Sequence, residues 1–170
     1  MKKIVAIISL LFLLVSCDKG IEPNPEPVDP ENTGIAGTVN FLGDWPSGVA
    51  RTHIVLFKNE ILSEADFFPP NLSYVSNEID SGTVILDYDS RTNNLLDVNI
   101  APGTYKYIVV AQSTKEALSL DRKDWFVVGV YYALNDNSKP GSIIVNEGRM
   151  TENVNIICDF NNPPPQPPGG

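Results

Sequence analysis

Residues 100–111 read IAPGTYKYIVVA, and residues 125–133 read WFVVGVYYA. From residue 104 onward the first stretch begins by alternating polar and apolar side chains, which is the pattern of a strand with one face on a core. The second stretch is apolar on both sides of the chain, which predicts a central strand buried on both faces. Both are rich in β-branched and aromatic residues and therefore indicate β-structure.

Similar short runs recur before and after these two stretches, each closed by Gly, Pro, Asn or Asp. Their spacing predicts a single antiparallel Greek-key β-sandwich of about seven to nine strands. Residues 59–80 are the least regular part and predict a long connection that contains a weak strand. We expect at most one short helix, near residues 113–122. The eight candidate strands are 35–41, 52–58, 83–88, 95–100, 105–111, 125–133, 142–145 and 153–160.

The first residues have the organisation of a secretory signal. Lys2 and Lys3 precede an apolar run over residues 4–15, and the small residue Ser16 stands before Cys17. The apolar run is shorter than the roughly 18 residues that a spanning helix needs. We therefore expect export of the chain without a transmembrane span.

The residues before the cysteine, Leu14-Val15-Ser16-Cys17, resemble the lipobox of bacterial lipoproteins. The resemblance implies that the Cys17 sulfur takes a diacylglyceryl group, that a peptidase cuts before Cys17, and that the new amino terminus gains a further acyl chain such as palmitate. Two or more chains make a stable membrane anchor. A plain signal peptide with a chance cysteine is the alternative.

Composition divides the chain into four segments. Residues 1–16 are the predicted lipoprotein signal peptide, and residues 17–33 are a lipid-anchored tether rich in proline and acids. At about 3.1 Å per residue, 16 extended residues of this tether would reach roughly 50 Å. Residues 34–160 are the predicted β-sandwich domain. Residues 161–170, NNPPPQPPGG, predict a disordered tail, with a polyproline docking ligand as the alternative.

The mature chain is predicted to be strongly acidic. Removal of residues 1–16 takes away Lys2 and Lys3, which leaves ten basic residues against 21 acidic ones and a formal charge of −11. Such a surface repels phosphate backbones and anionic headgroups, so nucleic acid is excluded as a partner. The predicted partners are the lipid bilayer, through the acylated amino terminus, and an envelope protein or a glycan.

Three segments are similar to carboxypeptidase regulatory-like domains: GIAGTV at 34–39, THIVL at 52–56 and IAPGTYKY at 100–107. The resemblance implies a prealbumin-like β-sandwich that serves as a binding or spacer module, and it ends after Ala111. Related pilin and adhesin modules of the CnaB type join a first-strand lysine to a last-strand asparagine. The predicted first strand, 35–41, has no lysine, so we expect no isopeptide bond.

Catalytic groups are few, and we expect no enzymatic activity. His53 is the one histidine, and no G-x-S-x-G turn accompanies it. We expect it on a strand, facing solvent or hydrogen-bonded at a sheet edge. Cys158 shares a strand face with Val154, Ile156 and Phe160, which predicts a core residue rather than a nucleophile.

Oxygen-rich loops offer weak calcium candidates at Asp87, Asp89, Asn93 and Asp136. Arg91 lies beside the first three, and neither loop has EF-hand spacing, so ordinary turn chemistry is favoured. We expect no confident metal site and no cofactor beyond the lipid. A small hydrolase that uses Asp87 and Asp89 as a carboxylate pair is an alternative function.

Trp45 lies in the loop GDWPSG and is the candidate ligand-binding aromatic residue. It would serve a carbohydrate-binding accessory protein by stacking on sugars, or it would plug the open end of the sandwich. The sequence thus predicts a membrane-anchored lipoprotein of the cell envelope, at the outer membrane, with a non-enzymatic binding or structural domain. Which face of the membrane it occupies stays open.

Overall fold

A computed structural model of the chain describes residues 28–96, 100–133 and 136–170. These residues form short strands and three single-turn 3-10 helices, with no α-helix among them, so the predicted all-β class is confirmed. The 3-10 turns are Pro30–Asn32, Glu64–Phe67 and Arg122–Asp124. The strands are β1 (Gly34–Leu42), β2 (Arg51–Phe57), β3 (Leu72–Val75), β4 (Ile85–Asp89), β5 (Gly103–Tyr105), β6 (Tyr107–Ser113), β7 (Phe126–Val130), β8 (Tyr132–Ala133), β9 (Asp136–Pro140), β10 (Ile143–Val145), β11 (Met150–Thr151) and β12 (Ile156–Asp159).

One curled sheet of eight strands organises the fold. Its order is β11-β1-β12-β7-β6-β2-β3, and β4 pairs with the other edge of β1. The strands β5 and β10 form a separate two-stranded ribbon, as do β8 and β9. The predicted central position of the 125–133 stretch is confirmed, because β7 lies between β12 and β6.

The sheet is mostly antiparallel, as predicted, and β1 is the strand that also has parallel neighbours. β11 and β12 both run parallel to β1, with Val39 opposite Ile156. Parallel neighbours need a long crossover, and here almost the whole domain lies between the two partners.

Between β11 and β12 the chain leaves the ladder, and the Asn155 side chain accepts a hydrogen bond from the Thr38 N–H at 2.9 Å. Gly37 is required there, because a Cβ would lie 2.3 Å from the Val154 carbonyl oxygen.

Both faces of the central strands are buried, which explains their continuous apolar character. The buried side chains form two hydrophobic clusters, one on each face. On β2, Ile54 and Leu56 belong to the first cluster, whereas Val55 and Phe57 belong to the second. The β5–β10 ribbon covers the first cluster with Tyr105 and two residues of β10. Loop residues that include Ile61, Phe67 and Trp125 cover the second cluster.

The predicted strand at 105–111 is two strands with a break at Lys106. The Lys106 N–H bonds to the Phe57 carbonyl, and the chain passes here from pairing with β10 to pairing with β2. As a result, Tyr105 packs in the first cluster and Tyr107 packs in the second, although their spacing would place them on one face of a continuous strand.

One other prediction differs from the structure. Residues Leu95 and Leu96 form a turn rather than the start of a strand at 95–100, because the Asn94 side chain accepts the Leu96 N–H at 3.2 Å. Residues 97–99 lie outside the described part. Near residues 113–122 the structure has one 3-10 turn, Arg122–Asp124, which agrees with the expectation of at most one short helix there. The expected weak strand within 59–80 is present as β3.

The carboxyl-terminal tail differs from the disordered segment that its composition predicts. Residues 161–170 have no strand or helix, yet they lie against the domain. Gln166 makes two hydrogen bonds to the backbone of Val127, and the Pro167 carbonyl accepts one from the Arg122 side chain. Proline loses little conformational freedom on docking, so a few contacts suffice to order such a segment.

Candidate functional site

The predicted lipidation residue Cys17 and the signal peptide lie outside the described residues, as does most of the tether. In the parts of the chain that the structure describes, the helices are too short to cross a bilayer. The acylation of Cys17 and the membrane anchor therefore stay predictions.

Trp45 packs at one end of the first core cluster. Its ring centroid lies 4.8 Å from that of Phe41 and 5.2 Å from that of Phe160, and its indole N–H donates to the Thr83 carbonyl at 2.9 Å. Thus the hydrogen-bond donor of the indole is already used, and the ring is half-buried. This geometry favours the packing interpretation of Trp45 over stacking on a sugar.

The acidic residues of β4 are engaged with neighbouring side chains. Asp87 accepts a hydrogen bond from the Thr38 hydroxyl at 2.7 Å. Asp89 receives both the Nε and Nη2 of Arg91, which holds the pKa of its carboxyl group below the ordinary value. A cation at Asp89 would have to displace a guanidinium group, so the structure favours a local turn.

The side chains of the other two calcium candidates are also engaged in hydrogen bonds. The Asn93 side chain accepts the Asn77 N–H at 2.7 Å. Asp136 bonds to the backbone and hydroxyl of Ser138, and these bonds lower the pKa of its carboxyl group. Asp136 lies on the β8–β9 ribbon, away from β4 in the topology. Among the residues that the structure describes, no group of three or more His, Cys, Asp or Glu side chains could hold a metal ion.

His53 is fully buried, which corrects the expectation of a residue in solvent or at a sheet edge. It lies on β2, which pairs with β3 on one side and with β6 on the other. Its Nδ1 lies 2.9 Å from the Ser76 carbonyl oxygen, which can only accept, so Nδ1 carries the proton. Burial lowers the pKa of the imidazole, although the bond to Ser76 opposes this. The neutral ring leaves Nε2 as an acceptor that has no partner among the described residues.

Cys158 is a core residue, as predicted. It is fully buried in the first cluster, and burial raises the pKa of its thiol. A Cβ at Gly129 on β7 would lie 2.4 Å from its sulfur, so the two strands meet closely at this point. A buried thiol with a raised pKa is a poor nucleophile.

An apolar cavity of about 190 Å³ lies beside His53, at a place where the sequence predicted no site. We call it the leucine pocket. Its walls include Val55, Phe67, Leu72, Val75 and Trp125, and His53 also contributes to the lining. The other lining leucines are also exposed to solvent: Leu95, Leu96, Leu118 and Leu120.

A signal for this pocket exists in the sequence, but it is weak. Leu118 and Leu120 stand in the otherwise polar segment STKEALSLDRKD at 113–124, and Leu95 and Leu96 follow two asparagines. Leucines in polar loops are normal when they are scattered singly. Only the fold places these two loops at one cavity.

No family model matches the chain, and no curated protein or solved structure matches it either.

Proposed function

We propose that this chain is a lipoprotein anchored in the outer membrane of a bacterial cell envelope, whose β-domain binds an apolar ligand in the leucine pocket without enzymatic chemistry. The signal-like residues 1–16 and the lipobox-like sequence that ends at Cys17 support the anchor. The leucine pocket carries the binding part of the proposal, because its lining is almost wholly apolar and open to solvent.

The exposure of the lining leucines favours a ligand site over a packing defect. Leu120 is 74% exposed and Leu96 is 52% exposed, and both belong to the cavity lining. Exposed leucines that converge on a concave surface are uncommon on soluble domains and typically mark a ligand or partner site. An acyl or other hydrocarbon group that covers them would bury apolar surface at about 25 cal/mol per Å².

The lining also limits the chemistry of the ligand. The Ser119 side chain donates to Asp124, so it has little to offer a charged group, and His53 is neutral at physiological pH. A charged ligand would leave water without finding a partner of opposite charge in this lining. We therefore expect an uncharged hydrocarbon moiety to occupy the cavity.

Binding of the apolar fluorophore N-phenyl-1-naphthylamine tests the proposal. Trp125 forms part of the wall, so a bound probe should accept excitation energy from it, and Trp45→Phe should leave this signal in place. Leu118→Asp places a charge in the lining and should weaken binding about tenfold or more.

Leu62→Asp is the matched control, because Leu62 is 77% exposed and does not line the cavity. Equal affinity of the wild-type and Leu118→Asp proteins for the fluorophore would refute the pocket as its binding site. Equal losses of affinity in Leu118→Asp and Leu62→Asp would do the same.

A further inference from the structure

The outer edge of β7 is only partly covered by another strand. On its inner side β7 pairs with β6, but β12 pairs with it only where Ile157 lies opposite Val130. Further towards the start of β7, at Val127, the tail takes the place of a strand. A Gln166 side-chain oxygen accepts the Val127 N–H, and its NH₂ group donates to the Val127 carbonyl, both at 2.8 Å.

This amide reproduces the hydrogen bonds of an added strand. Backbone edges with free N–H and C=O groups are sites where extended peptides pair, and side chains supply the specificity. Here one glutamine side chain bonds to both the backbone N–H and the backbone C=O of Val127. Gln166 also donates to the Pro164 carbonyl at 3.2 Å, which holds the amide in the conformation that the edge requires.

Arg122 provides a second contact for the tail. The residue is fully buried, and its guanidinium group donates to the Pro167 carbonyl at 3.1 Å and lies 4.8 Å above the Phe67 ring centroid. Its Nε has no partner among the described residues. A Cβ at Gly170 would lie 2.4 Å from Nη2, so the tail approaches the Arg122 guanidinium group closely.

Space remains on both sides of the docked tail. Prolines 163–165 line a cavity of about 460 Å³ with β7, β9 and β12, whereas Pro163 and Gln166 line another of about 450 Å³ with the start of β7. Gln166 itself stays exposed in part. The tail can therefore leave without breaking the pairing between β7 and β6, as a local opening rather than global unfolding.

We infer that the outer edge of β7 is a groove for an extended proline-rich peptide recognised through one glutamine side chain, that residues 161–170 are its resident occupant, and that the same tail of a second copy of this chain replaces it. A second copy is the expected partner because the groove already binds the tail of this chain. A second copy presents the same prolines, the same Gln166 and the same terminal glycines. This inference is independent of the leucine pocket and of the lipid anchor.

A fluorescent peptide with the sequence of residues 161–170 tests the inference on the full mature chain. We expect weak binding to wild type, because its own tail competes. Gln166→Ala in the chain removes two bonds of the resident tail, so the peptide should bind this variant about tenfold more tightly. A peptide that carries alanine in place of the glutamine should bind the same variant about tenfold more weakly than the original peptide does.

Pro168→Ala is the matched control, since Pro168 is exposed and makes none of the Gln166 or Arg122 bonds, and it should behave as wild type. Amide exchange at Val127 gives a readout that does not depend on the peptide, and Gln166→Ala should raise it about tenfold or more. Unchanged exchange, or equal peptide affinities for wild type and Gln166→Ala, would overturn the groove.

The second copy is tested by mixing wild-type and Gln166→Ala chains in sedimentation experiments. We expect a one-to-one complex that dissociates when free peptide is added in excess. Monomers at every concentration would overturn tail exchange, and so would a complex that persists in excess peptide.

Discussion

At the scale of single residues, burial decides the chemistry of the histidine and of the cysteine. His53 bonds to a carbonyl oxygen through Nδ1, and its second nitrogen faces apolar surroundings. A protonated ring would lose its hydration on burial, and this desolvation lowers the pKa of His53 more than the Ser76 bond and the charge of Glu78 raise it. Cys158 is similarly held as a neutral thiol.

The lowered pKa of His53 predicts a pH-dependent stability. The unfolded chain binds a proton near pH 6.5, whereas the folded chain resists it until lower pH. The stabilisation is therefore fully present above about pH 6.5 and is lost as the pH falls below it. We expect the free energy of unfolding, measured with urea, to decrease between about pH 7.5 and about pH 5.5.

His53→Gln should flatten this dependence, because glutamine does not titrate. The prediction fails if the variant and the wild type lose the same stability over this interval, since other groups would then be responsible.

At the scale of elements, side chains complete the backbone ladder where strands end. Ser76 follows β3, and its backbone N–H still bonds to the Ile54 carbonyl at 2.8 Å. The Ile54 N–H bonds instead to the Ser76 hydroxyl oxygen, also at 2.8 Å. One buried serine thus continues the pairing of β2 beyond the end of β3.

Ser76→Ala should leave the buried Ile54 N–H without an acceptor. We expect a loss of about 1–3 kcal/mol in the free energy of unfolding, which is the usual cost of an unsatisfied buried group. Ser81→Ala in an exposed turn is the control and should change stability by less than about 0.5 kcal/mol. Similar values for the two variants, obtained from denaturant titrations, would mean that the hydroxyl of Ser76 is not needed for β2.

At the scale of the whole molecule, net charge bears on the proposed anchor, because the chain has a formal charge of −9 and would have −11 without the predicted signal peptide. Such a charge opposes adsorption to anionic headgroups. In the proposed arrangement, the acylated amino terminus holds the domain at the membrane, with the tether as a spacer.

Cys17→Ser should abolish the incorporation of a palmitate analogue and release the protein from the membrane fraction, because no sulfur remains for the diacylglyceryl group. Cys158→Ala is the matched control, since Cys158 is the other cysteine and is buried in the core, and it should keep full labelling. Label that persists in Cys17→Ser, or label that disappears in Cys158→Ala, would contradict the assignment of the anchor.

The local sequence pattern alone predicted the β class, the positions of most strands and the place of Cys158 in the core. These follow from alternation and β-propensity, which act between near neighbours in the chain. Two positions show where that reasoning ends. The break at Lys106 sends Tyr105 and Tyr107 to opposite cores, and the Leu96 N–H bonds to the Asn94 side chain rather than to a neighbouring strand.

The sequence by itself determined that this chain folds as β-structure, that its ends differ in composition from the domain, and that Cys17 stands in a lipobox-like setting. Only the tertiary structure decided that His53 is buried, that two leucine-bearing loops meet at one cavity, and that the proline-rich tail docks on β7. The physical reason is that these three features depend on contacts between residues far apart in the chain. No local periodicity records which distant strand, loop or tail will supply the partner.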